Sequence, residues 1–277
     1  MVFANKNNKI YDVILAASKY LDSKLLKNSV GYDAHYESRI ILSHILGKDI
    51  SYTYAHDDRV LTDLEFCEFE SWIKIRAGGM PLAYLLEYCD FWDLTLYINK
   101  SVLVPRNDTE LIIERVLDKF KNGSKENKEF NILDLGTGSG AIALALAKEF
   151  GGAKVVATDV SIDAIEVARI NSVNNKINNI SFLQGSWYEA LLNQSFENKF
   201  DIICSNPPYI DFEDKSVCES VKKFEPEGAL FCEDNGLAFL KDIIIGAKDY
   251  LKSGGWIFLE HGYQQAKDVQ EILEDNG

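Results

Sequence analysis

Apolar positions recur at helical spacing through the first third of the chain. Ile10, Val13, Ile14, Ala17 and Leu21 form one stripe, and Tyr36, Ile40, Ile41 and Ile45 form a second that stops before Gly47. A third helix carries its own start signal. In Thr62-Asp63-Leu64-Glu65 the threonine hydroxyl and the glutamate carboxylate are spaced to satisfy each other's backbone N–H groups, and Leu61 and Phe66 flank them at the positions of a hydrophobic staple. Phe69, Trp72 and Ile73 continue that stripe to a stop at Gly78-Gly79. Residues from about Ile10 to Tyr84 therefore read as a small helical bundle.

From Asp90 the period falls from about 3.6 to 2. Phe91 to Ile98 alternate, Asn99-Lys100-Ser101 offers turn chemistry, and Val102-Leu103-Val104 resumes the apolar run, so the segment to Arg106 reads as a β-hairpin. Pro105 to Glu110 then opens a helix through Leu111, Ile112, Val116 and Leu117, with Asp108 or Thr109 as its cap. The lysine-rich run Lys121 to Glu129 reads as a surface loop. Beyond it, short fully apolar runs alternate with helical stretches. Strands are expected at Asn131 to Leu135, Lys154 to Asp159, Ile180 to Gly185, Phe200 to Ser205 and Gly255 to Glu260, which predicts an α/β fold with a parallel sheet covered on both faces.

Composition narrows the class. With 277 residues, 47% of them hydrophobic, the chain can bury a large core, and no apolar run approaches the ~20 residues of a membrane helix. Met1 to Lys6 lacks a signal-peptide pattern, which makes the cytoplasm the expected location. Cys67, Cys89, Cys204, Cys218 and Cys232 are scattered and odd in number, so neither a disulfide framework nor a metal site is expected; His35, His44, His56 and His261 also lack ligand spacing. The formal charge of −14 argues against a broad phosphate-backbone contact and suits a basic partner or a small ligand.

Three short stretches carry candidate chemistry. Asp134-Leu135 is followed by Gly136, Thr137, Gly138, Ser139 and Gly140, a glycine-rich turn between the first sheet strand and its helix; the spacing is GxGxG and not the GxGxxG of dinucleotide folds. Asp159 ends the second strand about 20 residues further on, where an acid can accept hydrogen bonds from both hydroxyls of a ribose. Asn206, Pro207, Pro208 and Tyr209 end the fourth. The prolines lack N–H donors and fix their own φ angles, so the Asn206 side-chain oxygen and the Pro207 carbonyl form a preset acceptor pair beside the flat ring of Tyr209. Such a pair fits a planar NH2 group. All three stretches should converge on the carboxyl edge of the sheet, and together they favour S-adenosylmethionine over a nicotinamide cofactor.

With these residues the chain resembles the HemK/PrmC family, protein-(glutamine-N5) methyltransferases that modify peptide-chain release factors. The resemblance runs over nearly the whole length: Arg76 to Tyr84, Phe91-Trp92, Val104-Pro105-Arg106 with Thr109-Glu110, the glycine loop, Trp187-Tyr188, Ser205 to Ile210, Phe224 to Glu227, and Leu259 to Gly262. It implies a Rossmann-like class I S-adenosylmethionine-dependent methyltransferase with an N-terminal helical docking domain over 1–86, a β-hairpin linker over 87–106 and a catalytic domain over 107–277. It further implies that Gly136 to Gly140 cradle the cofactor and Asp159 binds its ribose. Trp187 would pack near the adenine, and Asn206 to Tyr209 would hold the glutamine of a Gly-Gly-Gln loop. The implied partners are class 1 release factors, met by a monomer without nucleic-acid or membrane binding. Ser186 stands where the family commonly has an aspartate, so no adenine contact is carried to it, and Met80 replaces a usual acid. The family normally continues into closing strands beyond the last helix, and these are not expected among the residues up to Gly277; a missing closing hairpin would expose a sheet edge. The rival readings are an amino-methyltransferase of adenine or cytosine in DNA or RNA, using the same tip on a flipped base, and a noncatalytic cofactor-binding protein.

Overall fold

The computed structural model describes residues 8–25, 32–120, 130–192, 196 and 199–277; the loop expected over Lys121 to Glu129 lies outside them. The chain divides into two compact units, 1–86 and 87–277. Among the described residues no helix is long and apolar enough to cross a membrane.

The first unit is helical: α1 (Ile10–Lys24), α2 (Ala34–Ile45), α3 (Ile50–Ala55), α4 (Asp63–Ala77) and α5 (Leu82–Leu86). The α1 stripe is buried as its spacing requires. In α2 the inward face is Ala34, Ser38, Ile41 and Leu42, and Tyr36 is exposed, so the stripe is rotated from the expected one. The rotation places Arg39 inside, where its guanidinium binds the Thr53 carbonyl and Asp57 and lies over the Tyr54 ring. At the start of α4 both bonds of the capping box form, Glu65 N–H to Thr62 Oγ1 at 3.3 Å and Thr62 N–H to Glu65 Oε2 at 2.8 Å, with Leu61 and Phe66 buried beside them. Arg76, in the last turn of α4, grips Glu37 of α2 through two nitrogens at 2.8 and 3.1 Å.

The second unit begins with a hairpin, β1 (Tyr88–Phe91) and β2 (Leu94–Tyr97), and continues through α6 (Glu110–Phe120) to a sheet-and-helix layer. That layer contains β3 (Asn131–Leu135), α7 (Ala141–Glu149), β4 (Lys154–Asp159), α8 (Ile162–Asn174), β5 (Ile180–Gln184) and β6 (Phe200–Ser205). The short β7 (Ile210–Asp211), α9 (Glu219–Phe224), β8 (Phe231–Cys232) and one-turn α10 (Glu233–Gly236) lead to α11 (Ala238–Tyr250), β9 (Leu251–Leu259) and α12 (Ala266–Asn276). The sheet order is β5-β4-β3-β6-β9, parallel throughout. Leu133, Leu135, Val156 and Ile203 pack with Ile243 and Ala247 of α11 on one face; the alternate residues Ile132, Val155, Ala157 and Ile202 are equally buried, so both faces are covered.

Two expectations shift. The hairpin turns at Trp92-Asp93 rather than at Asn99 to Ser101, and Val102 to Val104 do not form a strand. Asn99 does make a turn, its Oδ1 accepting from Ser101 N–H at 2.8 Å, but the Val104 N–H then goes to Glu225 Oε2 at 3.2 Å instead of to a neighbouring strand. The last strand starts at Leu251, earlier than expected, because Gly254 and Gly255 lie inside an irregularity of its pairing: Phe200 pairs with Leu251, and Ile202 already with Trp256.

Candidate active site

The order of strands reverses at β3: the chain moves outward from β3 to β4 and β5, then returns to lay β6 on the other side of β3. Ligands of open α/β sheets bind above the carboxyl ends of strands at such a reversal. The carboxyl end of β3 is the glycine turn, and that of β6 is Asn206.

A cavity of about 380 Å³ opens there, within the range of small-ligand sites. Its wall includes Gly136, Thr137, Gly138, Ser139, Asp159 and Trp187, together with Asn206 and Pro208. Gly140, Pro207 and Tyr209 are not among the lining residues. Gly140 instead caps α7 with φ of 85°. Sequence reasoning did not single out Phe239 of α11 or Gly228 and Ala229 ahead of β8, which complete the wall from segments distant in the chain.

The glycine turn is fixed from below. Gly136 and Thr137 N–H groups both donate to the Thr158 carbonyl at 2.9 Å, and the Thr137 hydroxyl donates to Asp134 Oδ2 at 2.6 Å. Asp134 is fully buried, and burial pushes its carboxyl up to about 7 against the pull of the Thr137 hydroxyl. Gly136 has φ of 72°, and a Cβ there would meet the Trp187 ring at 3.2 Å, so a side chain would strain the backbone and crowd the indole. Asp159 spends one bond from each carboxylate oxygen on the backbone: Gly138 N–H donates to Oδ2 at 2.8 Å and Ser161 N–H to Oδ1 at 2.9 Å. Each oxygen keeps a lone pair. Desolvation raises this carboxyl, with the N–H groups opposing. Asn171 of α8 supports the loop laterally, donating from Nδ2 to the Ser139 carbonyl at 2.9 Å and the Tyr97 carbonyl at 3.0 Å while its Oδ1 accepts from Tyr97 N–H at 2.6 Å.

The Asn-Pro-Pro-Tyr tip is held at four points. The Ser205 hydroxyl donates to the Leu135 carbonyl at 2.6 Å, tying the end of β6 to that of β3. Asn206 Nδ2 donates to Thr109 Oγ1 at 3.0 Å, and the Tyr209 hydroxyl donates to Glu260 Oε1 at 3.0 Å. Gln265 Nε2 bridges the Tyr209 and Asn235 carbonyls, at 3.0 Å each, while its Oε1 accepts from Gly262 N–H at 2.8 Å. Burial and the neighbouring Glu260 push the Tyr209 phenol up. The Thr109 hydroxyl, expected to cap a helix, goes to Asn206, and Glu110 accepts from the Trp92 backbone N–H at 2.7 Å. Arg106 pairs with Glu225, whose side chain is 1% exposed.

An open parallel sheet with this glycine turn, acid and tip at its switch point defines a class I methyltransferase. A family model described as a methyltransferase domain matches residues 126–277, and a PrmC N-terminal domain model matches residues 22–86. The release factor glutamine methyltransferase of Francisella tularensis is 43% identical over 260 residues, 94% of this chain and 89% of that protein. That of Aliivibrio fischeri is 40% identical over 241 residues, 87% and 82% respectively. Among solved structures, the hMettl16 catalytic domain shares the fold with a TM-score of 0.55 at 18% identity, covering 85% of this chain and 83% of that one. The chain belongs to the release factor glutamine methyltransferase family.

Proposed function

We propose that this enzyme transfers a methyl group from S-adenosylmethionine to the side-chain amide nitrogen of the glutamine in the Gly-Gly-Gln loop of class 1 peptide-chain release factors. The observation that carries the reading is the meeting of the glycine turn, Asp159 and Asn206 in one cavity. The residues suit the cofactor: Gly138 leaves open space where any other residue would place a Cβ, and Asp159 keeps a lone pair on each oxygen for a ribose hydroxyl. Gly136, Thr137, Gly138 and Ser139 would cradle it, with Gly140 fixing the start of α7 behind them, Asp159 would hold its ribose, and Trp187 would pack on its adenine.

When bound, S-adenosylmethionine supplies an electrophilic methyl group on a sulfonium. The chain's own residues orient the acceptor. An amide nitrogen is a poor nucleophile because its lone pair is delocalised; Asn206 Oδ1 and the Pro207 carbonyl would accept its two hydrogens, aim the nitrogen and stabilise the positive charge that develops there. Pro208 would wall the glutamine side chain, and Tyr209, behind the lining, would brace the tip through Glu260. Proton loss after transfer needs no dedicated base in this scheme. The helical unit would dock the release factor, the enzyme would act as a cytoplasmic monomer, and its charge of −14 supports a protein partner over nucleic acid.

The test is transfer of labelled methyl from S-adenosylmethionine to a purified release factor and to the same factor with its loop Gln changed to Ala. Label on the first alone supports both reaction and site. Label on neither, with cofactor bound, would refute the reading and turn attention to nucleic acid.

A further inference from the structure

Asn206 presents an amide, with a donor end and an acceptor end, to a site that has use for only one of them. Its Nδ2 donates to Thr109 Oγ1 at 3.0 Å. Thr109 is 4% exposed, the bond is partly buried, and both residues line the same cavity. Thr109 also stands on a fixed platform. It ends the helical turn Asn107–Thr109, its N–H donates to the Arg106 carbonyl at 3.0 Å, Arg106 is paired with the buried Glu225, and Glu110 is bonded to the hairpin at Trp92. The hydroxyl is thereby delivered to the tip from a part of the chain 97 positions away.

We propose that Thr109 is a positioning residue for the transfer. In the observed arrangement Nδ2 donates to this hydroxyl and Oδ1 is the end left for the substrate, so the bond anchors the Asn206 side chain at the tip. The inference rests on the role proposed above for Asn206.

The variants that test it are Thr109→Val, which keeps the shape and loses the hydroxyl, and Thr109→Ser, which keeps the hydroxyl. Single-turnover methyl transfer to the release factor should slow ~100-fold in the Val variant, the scale of a misaligned reacting group, with cofactor affinity within about twofold. The Ser variant should recover most of the rate. A Val variant within about threefold of the native rate, or one that loses cofactor affinity in step with rate, overturns the proposal. Should the Val variant not fold, Thr109→Ala is judged by the same readouts. A further measurement is independent of activity. The Asn206 side-chain NH2 signal, assigned by its loss in Asn206→Asp, should exchange slowly with solvent in the native enzyme and rapidly in Thr109→Val. Failure of the native enzyme to label any release factor overturns the assigned reaction; an unprotected Asn206 amide overturns the role of Thr109.

Discussion

Asp134 shows how much one enclosed carboxyl can shape the pH response. In the unfolded chain it loses its proton near 3.8, and in the fold near 7, because burial disfavours the charge. Between those values the folded state binds more protons than the unfolded one, so stability falls as pH rises from about 4 to about 7 and is flat in this respect above. Asp134→Asn removes the titration and keeps an oxygen for the Thr137 hydroxyl. The melting temperature of the variant relative to the native enzyme should climb over that interval and then level off; a constant offset would rule the effect out. Asn206 and Asp159 should separate cleanly in a kinetic comparison. Asn206→Ala should slow transfer ~100- to 1,000-fold with cofactor affinity little changed. Asp159→Ala should weaken cofactor binding ~10-fold or more, as loss of charge-assisted hydrogen bonds does. Equal losses of rate and affinity in the Asn206 variant would remove it from the acceptor role.

At the scale of elements, the tip of β6 depends on segments that follow it. Gln265, just ahead of α12, satisfies three backbone groups with one amide, and its orientation is unambiguous because a backbone N–H faces its oxygen and two carbonyls face its nitrogen. Gln265→Leu should cost ~1–3 kcal/mol of stability, read by thermal unfolding, since those groups are left without that partner. Gly236 approaches the same carbonyl: a Cβ there would lie 2.1 Å from the Tyr209 oxygen, and its φ is 82°. Gly236→Ala should therefore displace the tip and depress transfer more than cofactor binding. The main strands were legible in the sequence because a strand covered on both faces must be an unbroken apolar run, as Ile132-Leu133 and Ile202-Ile203 are. The hairpin turn was not. Trp92 adopts φ of 55° without any local turn chemistry, and what holds it is remote: Glu110 on its N–H, Glu149 on its indole, and Lys148 on Asp93. Glycine turn, Asp159 and Asn206 were visible because each ends a strand and the strands' parallel order aligns their ends. Thr109, Gln265 and Glu260 were invisible as supports of the tip, since their partners lie 97, 56 and 51 positions away.

The whole molecule carries a charge of −14, and the proposed division of labour makes that charge bear on the macromolecular partner more than on the cofactor. Attraction between exposed charges is screened within ~10 Å at 0.1 M salt, whereas groups lining a cavity are screened far less. Raising salt should therefore raise KM for a basic release factor while leaving the cofactor dissociation constant nearly constant. Parallel salt dependence of the two would count against electrostatic docking.

The native chain has four tryptophans, and among the described residues only Trp187 lines the cavity, its indole against Gly136 and 5.4 Å from the Phe239 ring. Trp72 is packed with His44 in the helical unit, Trp92 is bonded to Glu149, and Trp256 lies under the Lys119 ammonium. The enzyme is thus supplied with its own optical reporter. Arrival of an adenine in the cavity should quench emission from one indole in four, and Trp187→Phe should abolish that change. Occupancy of the methyl-donor site then becomes readable by light, without label or turnover.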